Sequence, residues 1–462
     1  MAARYRWLAA TLLGLACGAA MAQTASGPAL ASATAPASPF GFAQAFDAAI
    51  GHDAQFRAAR HERDSTQLNV PLARAQLLPS LSLNVSESQT RGMREFPNVL
   101  NQLVSVNVDY ASPQASLQLR APIFNWESIS RYRQALRQSD AADAVFRVRG
   151  AELVERLGTA YLQGLLVGEN QRQVQAQVKA LEAQRERAEQ RLLRGEGSRI
   201  EVSDVASQLA VAGVRLKDLQ DQASVARRAL ARLTGVDAPL QRGLPAEFAV
   251  PPLLPAQLDD WQMLARARNA VIQVRERQLE VARLGIERSK AGHFPRLDAV
   301  ASLSQSTNES IANLNQSSRL ASVGLQLSVP IFSGFGVEAG ISQARVDLAK
   351  AEADLANERE NVAVEVQRHF LAVSAGAGRL RAMAESVAAN EMVLEGVTRG
   401  QIAGLRTLSE VQDAIARVFG ARRELAQARL DYLLSRLRLH LQSGAPLAEA
   451  VFDVERLLGG QP

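Results

Sequence analysis

The sequence predicts a mixed α and β fold, mainly α, built twice over. Three observations carry this. First, Gly195 to Gly235 aligns without a gap on Gly404 to Gly444 at a constant offset of 209, pairing Glu201 with Glu410 and Asp204 with Asp413. Second, short stretches of period-2 alternation stand ahead of each aligned segment, with Ala121-Pro122-Ile123-Phe124 recurring as Val329-Pro330-Ile331-Phe332. Third, two proline-free stretches, 131–193 and 341–397, are far longer than ordinary globular helices. Copies of this length exceed the ~20–50 residues of solenoid units, so a whole structural module is duplicated.

Residues 1–22 carry Arg4 and Arg6, an apolar run from Trp7 to Ala16, and Ala20-Met21-Ala22. This is the pattern of a secretory signal peptide with a small-residue cleavage site, so the mature chain is expected to leave the cytoplasm. Cys17, the sole cysteine, ends the apolar run and offers a rival lipid-attachment site, although Gly14 stands three residues before it. Cleavage after Ala22 removes that cysteine, and with it any disulfide. Residues 23–41, rich in Ala, Ser, Thr and Pro, read as a flexible tail.

The first module spans 42–235. A helical pattern from Phe42 to Leu78, with a kink expected at Pro71, leads into a strand pair at about 79–124. Leu81, Leu83 and Val85 alternate with Ser82, Asn84 and Ser86; Leu117, Leu119, Ala121 and Ile123 alternate with Ser116, Gln118 and Arg120. A rod from Arg131 to Leu193 follows, broken at Gly195-Glu196-Gly197, and then a returning helix. A Pro-rich linker, 236–257, joins this to the second module, 258–444. That module repeats the order: a helix from Trp261 to Phe294, a strand pair at about 295–332, and a rod from Ile341 to Val397 that breaks at Gly400 to Gly404. In this rod Val366, Val373, Leu380 and Val387 alternate with Ala363, Phe370, Ala377 and Ala384 at a mean spacing of 3.5, the coiled-coil period. Gly376 and Gly378 mark a bend or a close contact. Residues 445–462 read as a poorly periodic tail.

Composition narrows the function. Aromatics are only 5% of the chain, which suits thin helical seams better than a thick core. Arg and Glu interleave along the helices, so the net charge of +5 does not form a nucleic-acid-binding patch. Five histidines without ligand spacing provide no metal site, no phosphate-binding loop occurs, and no catalytic site or cofactor is expected. No segment approaches the ~18 apolar residues of a transmembrane helix, so membrane insertion would require a barrel. Four strands per chain fall short of the eight of the smallest membrane barrels, which requires several chains to pool their strands.

Leu77-Leu78-Pro79-Ser80-Leu81, the two Pro-Ile-Phe segments, and the run from Gly404 through Arg406 and Glu410 to Ala414, in duplicated order, resemble the TolC family of outer-membrane export channels. The resemblance covers roughly Phe42 to Gly444. It implies a homotrimer with a twelve-stranded barrel in the outer membrane and a helical tunnel across the periplasm. A periplasmic adaptor and an inner-membrane ABC or proton-driven transporter would dock below. It also implies a passive duct, with type I protein secretion favoured over multidrug or small-molecule efflux; a periplasmic adaptor or scaffold is the rival from another class. By the same resemblance Glu410 and Asp413 form the pore constriction, where two carboxylates ~6 Å apart repel by ~0.7 kcal/mol in water. Arg406 and Glu201 form a closing ion pair, although Gln401 stands where the family has an aromatic partner. The turns Gly195, Gly197 and Ser198, and Gly404, Leu405 and Thr407, contact the adaptor.

Overall fold

The computed structural model describes residues 40–97, 99–237, 243, 248, 250–308 and 316–459. The predicted signal peptide, Cys17, most of the predicted N-terminal tail and part of the linker lie outside them. The described residues belong to one compact unit, Pro39–Pro462. Its elements run α1 Phe42–His52, α2 Ala54–Gln67, α3 Asn69–Ala75, β1 Ser80–Pro97, β2 Leu103–Asn125, α4 Trp126–Leu193, α5 Arg199–Thr234, α6 Leu258–Arg268, α7 Ala270–Lys290, a 3-10 turn Ala291–His293, β3 Arg296–Asn308, β4 Gln316–Ser328, α8 Gly336–Ile402, α9 Leu408–Gln442 and α10 Leu447–Leu457.

The rods are longer than the sequence suggested. Helix α4 has 68 residues and α8 has 67, each about 100 Å at 1.5 Å per residue. Asn125 starts α4 early by accepting the Ser128 N–H at 3.1 Å. Gly400, expected to help break the second rod, lies inside α8, which runs on to Ile402.

The opening helix of each module, expected to run unbroken apart from a kink at Pro71 in the first, is broken at the same place. Asp53 (φ −57°, ψ 121°) and Asn269 (φ −59°, ψ 127°) leave the helical region. Each caps the next helix with its side chain: Asp53 accepts from Phe56 N at 2.6 Å, and Asn269 from Val271 N and Ile272 N. The further break falls at Leu68, before Pro71. Proline then sits in the first turn of α3, where its missing N–H costs nothing.

The sheet is antiparallel in the order β1-β2-β3-β4. Its register pairs Leu81 with Leu119, Leu83 with Leu117, Leu117 with Leu303, Ala301 with Val323 and Leu297 with Leu327, so one face is apolar across all four strands. Ser80, Gln118, Arg120, Asp298 and Ser302 occupy the opposite face. A bulge between Pro122 and Phe124 brings Phe124 opposite Leu297, so Ile123 is the unpaired extra residue and the expected strict alternation ends there. Val329 and Ile331 lie past the end of β4. The strands exceed the expected ~9–11 residues, at 18 and 23 in β1 and β2 and 13 in β3 and β4. Pairing of β2 with β3 ends at Gln114–Ser306, while β1 and β2 continue to Pro97–Leu103 as a hairpin of two strands. Glu87, Arg91 and Asp109 on that extension mark it as lying beyond any lipid-facing band.

Below the sheet, α7 packs on the first half of α4 and on α8, while α5 and α9 return along the second halves of α4 and α8. In the α8 seam Val366, Val373 and Leu380 are buried as expected. Val387 is half-buried. Beside this stripe Val362 and His369 are buried, with Gly376 and Met383 half-buried; of the expected alternate stripe Phe370 packs half-buried against the core, Ala363 and Ala377 are half-buried and Ala384 is exposed. Gly376 serves a close contact: a Cβ there would lie 3.1 Å from the Tyr432 ring. Gly378 has no such neighbour.

The thickest core forms where α1 and α10 wrap mid-length α4 and the ends of α5 and α9, and where α6 packs on α8 with its Trp261 against His440 of α9, around Phe42, Leu157, Tyr161, Trp261, Leu433 and Val454. The segment read as a tail is therefore mostly helix α10, with Ala450, Val451 and Val454 buried. Its one apolar face was too short to register as a period. Glu455 accepts the Phe42 N–H at 2.6 Å and the Ala43 N–H at 3.3 Å, a carboxylate at the positive end of α1. Asp453 binds the buried Arg436 through Nε at 2.5 Å and Nη2 at 3.1 Å, with His440 at 3.4 Å. Burial raises the Asp453 carboxyl, but the hydrogen bonds and charge of His440 and Arg436 outweigh it and hold it well below the usual carboxylate range. Its depressed value means that the stabilisation is present throughout neutral and mildly acidic pH and is lost only as pH falls through the lowered value. Asp453→Ala, which leaves Arg436 buried and unpaired, is expected to cost about 3–5 kcal/mol, read as a lower midpoint in detergent unfolding.

Candidate functional site at the hairpin tips

Each long hairpin turns with the same device. Gly195 and Gly404 take the left-handed conformation, φ +78° and +75°, which spares them the Cβ clash other residues would meet. The following amides, Glu196 N and Leu405 N, reach back to Arg191 O at 2.9 Å and Gly400 O at 2.8 Å, closing a Schellman motif. At the upper end of each hairpin Gly235 and Gly444 repeat the left-handed stop, at φ +73° and +76°.

The tips differ where the copies diverge. Gly197 packs so tightly on the last turn of α4 that a Cβ would lie 3.0 Å from Leu192 N; the equivalent position in the second tip is Arg406. The Arg406 side chain folds back over Gly400, where a Cβ would meet its Cγ at 2.8 Å. Arg406 Nη1 donates to Glu410 Oε1 at 2.8 Å. Glu410 is also the third residue of a capping box: its Oε2 accepts from Thr407 N at 2.7 Å, while Thr407 Oγ1 accepts from Glu410 N at 3.3 Å. The backbone hydrogen bond from Thr407, followed by the one from Arg406, holds the Glu410 carboxyl below its ordinary value, so it is ionised at any physiological pH.

Ser198-x-x-Glu201 has the same capping-box pattern, yet only half of it forms. Ser198 accepts from Ile200 N at 3.1 Å, and Glu201 Oε2 is buried without a hydrogen-bond partner. Within the chain Arg406 engages Glu410 in place of Glu201. Asp413 is exposed one turn above Glu410, and its backbone oxygen accepts from Arg417 Nε at 3.3 Å. Leu193, Ile200, Ile402 and Leu405 stand 79–88% exposed around the two turns.

A glutamine bridge was not anticipated. Gln208 Nε2 on α5 donates to Gln412 Oε1 on α9 at 2.8 Å, joining the two hairpins. The buried Gln184 Oε1 and Gln412 Nε2 lack partners. Gln412 lies between Glu410 and Asp413 in the motif already singled out, but nothing in sequence spacing points to Gln208. Among the described residues no group of three or more His, Cys, Asp or Glu could hold a metal, and no helix is long and apolar enough to cross a membrane.

Thr407→Ala is expected to remove the cap, loosening the first turn of α9 by about 1 kcal/mol, seen as faster amide hydrogen exchange at Glu410. Because the Glu410 carboxyl is lowered, the cap should persist through the ordinary carboxylate range and loosen only as pH falls through the lowered value.

Comparison with known proteins places these features in a family. The model of the family described as "Outer membrane efflux protein" matches residues 45–236 and 261–445. The proteases secretion protein PrtF of Dickeya chrysanthemi is 30% identical over 412 residues, covering 88% of this chain and 89% of its own. The alkaline protease secretion protein AprF of Pseudomonas aeruginosa is 30% identical over 87% of this chain and 84% of its own, and the outer membrane protein TolC of Escherichia coli 26% identical over 83% and 78%. Among solved structures, the outer-membrane channel OprN superposes with a TM-score of 0.72 at 19% identity, over 88% of this chain and 90% of its own. With matched residues running through both strand pairs and both tips, the chain belongs to the outer membrane efflux protein family.

Proposed function

We propose that the chain is the passive outer-membrane exit duct of a tripartite export system, that three copies close its barrel, and that its cargo is protein exported by type I secretion. The sheet carries this reading. It has one continuous apolar face, an edge strand on either side, and too few strands to enclose a lumen. Joining β4 of one copy to β1 of the next pairs both edges, and three copies give twelve strands above a ring of long helices. Two relatives named for protease secretion, each 30% identical over most of the chain, favour protein cargo. The pyoverdine export outer membrane protein OpmQ of Pseudomonas aeruginosa, 26% identical over 58% of this chain, keeps small-molecule efflux as the second reading.

The tip is the gate in this proposal. Asp413 and Glu410, in three copies each, line the constriction, with Asp413 the less engaged of the two. Arg406 keeps unused donors on its guanidinium after binding Glu410. Glu201 Oε2 has no hydrogen-bond partner within the chain, and the proposed second bond from Arg406 of the neighbouring helix pair would require Glu201 to turn that oxygen outward. The exposed apolar residues beside Gly195, Gly197, Ser198, Gly404, Leu405 and Thr407 suit docking of a periplasmic adaptor, with an ABC transporter supplying energy.

Outer membranes extracted in detergent should yield a trimer that survives denaturant at room temperature, and a soluble monomer would reject the channel. Deleting the chain from its host should abolish a secreted protein from the medium; drug sensitivity with secretion intact would favour the efflux reading. In planar bilayers Arg406→Ala is expected to raise conductance or open probability, and no increase would reject the closing pair.

A further inference from the structure

Where the sheet meets the long helices, the polar face of β2 and β3 and the first turn of α4 enclose an open cavity of about 520 Å³. Its charged lining is Arg120, Arg131, Arg296, Glu127 and Asp298. Asp298 is buried and accepts from Arg120 Nε at 3.1 Å. Glu127 is shared: it accepts from Arg131 Nη2 at 3.1 Å and from Arg296. Arg131 also donates to Gln76 at 2.9 Å. Three guanidinium groups thus meet two carboxylates, which leaves one positive charge in excess per chain. The cations are also the outer layer: side-chain exposure is 58% for Arg120 and 47% for Arg296, against 7% for Asp298 and 28% for Glu127.

We propose that this cavity is part of a basic girdle round the lumen, a site that attracts anions and, in transport, the carboxylate groups of passing cargo. The inference rests on the channel reading. The polar face of a membrane barrel looks into its lumen, and Arg120, Asp298 and Arg296 all lie on that face. Three copies bring three such excess charges to one level, at the far end of α4 from the acidic tip. A polar wall bearing one sign of charge concentrates the opposite ion. The duct would then carry acidic side chains at its entrance and a basic ring where the tunnel opens into the barrel, so that an anionic segment past the tip meets attraction ahead of it.

Arg296 and Glu127 form one ion pair, which makes the test direct. If the pair only ties the sheet to the helices, Arg296→Gln and Glu127→Gln should disturb the channel alike. If the girdle sets ion preference, they act in opposite directions. The full mature chain is reconstituted in planar bilayers and its reversal potential measured in a tenfold KCl gradient. Arg296→Gln should shift the K+/Cl− permeability ratio toward cations, and Glu127→Gln toward chloride, each by at least about 1.5-fold. The double variant, with no change in net charge, should return to the wild-type ratio and so reports on folding. Shifts of the same sign, or none, overturn the girdle while leaving the channel reading intact. A wild-type chain that conducts nothing overturns both.

Discussion

An open sheet edge has nowhere to go in lipid. Every backbone N–H and C=O within the hydrocarbon must find a partner in protein, and the described residues supply four strands whose outer members, β1 and β4, have no strand partner on one side among them. In the proposed channel that constraint is met by sharing strands between copies, and the remaining architecture is consistent with it. One face of the sheet can be apolar and the other polar because neither faces a core of its own. As one wall section of the proposed duct, the chain needs few aromatics and many alanines, because the space several copies would enclose is left empty.

A wall section still has to be stable alone long enough to assemble, and the chain concentrates its packing in one band. There α1 and α10 bury Phe42, Tyr161 and Val454 against mid-length α4 and the upper ends of α5 and α9, and α6 packs Trp261 between α8 and the end of α9. The polar groups in that band are paired across elements: Glu455 on the start of α1, Asp53 with Arg156, Asp453 with Arg436, and Asn269 on Gln442 O. Above and below it the helices touch through narrow seams in which Gly376 and small residues let the axes approach. The ends of the rods are correspondingly thin.

The duplicated tips show how equal patterns acquire unequal roles. Thr407-x-x-Glu410 and Ser198-x-x-Glu201 have the same capping signature, but Arg406 stands in the second tip where Gly197 stands in the first. The arginine draws its carboxylate into the cap, while the glycine leaves the other carboxylate oxygen buried and unclaimed. Within the chain one tip satisfies its carboxylate and the other leaves an oxygen without a hydrogen-bond partner.

Much of this was legible in residue order. The strand pair within each module, two long hairpins and their left-handed glycine stops are local or short-range features, written in period, proline absence and repeated Gly, and the repeat itself doubled each signal; the joining of the two pairs through β2 and β3 is long-range and was not written there. The seam of α8 was legible only by half: Val366, Val373 and Leu380 advertise burial, but the choice between Ala363 and Val362 as the second stripe depends on which neighbour flanks the helix, and His369 and Gly376 carry no hydrophobic signal. The breaks at Asp53 and Asn269 were hidden because a residue that favours a cap can equally sit on an exposed helical face until its surroundings bury it. Helix α10 was hidden because a helix of three turns shows its apolar face only against the groove that receives it. By itself the sequence determined the elements and their order, since these depend on backbone preferences and periodicity within each segment. Tertiary structure alone decided which carboxylate is capped and which is left open, and which arginines gather at the base of the sheet, because those are distances between residues far apart in the chain.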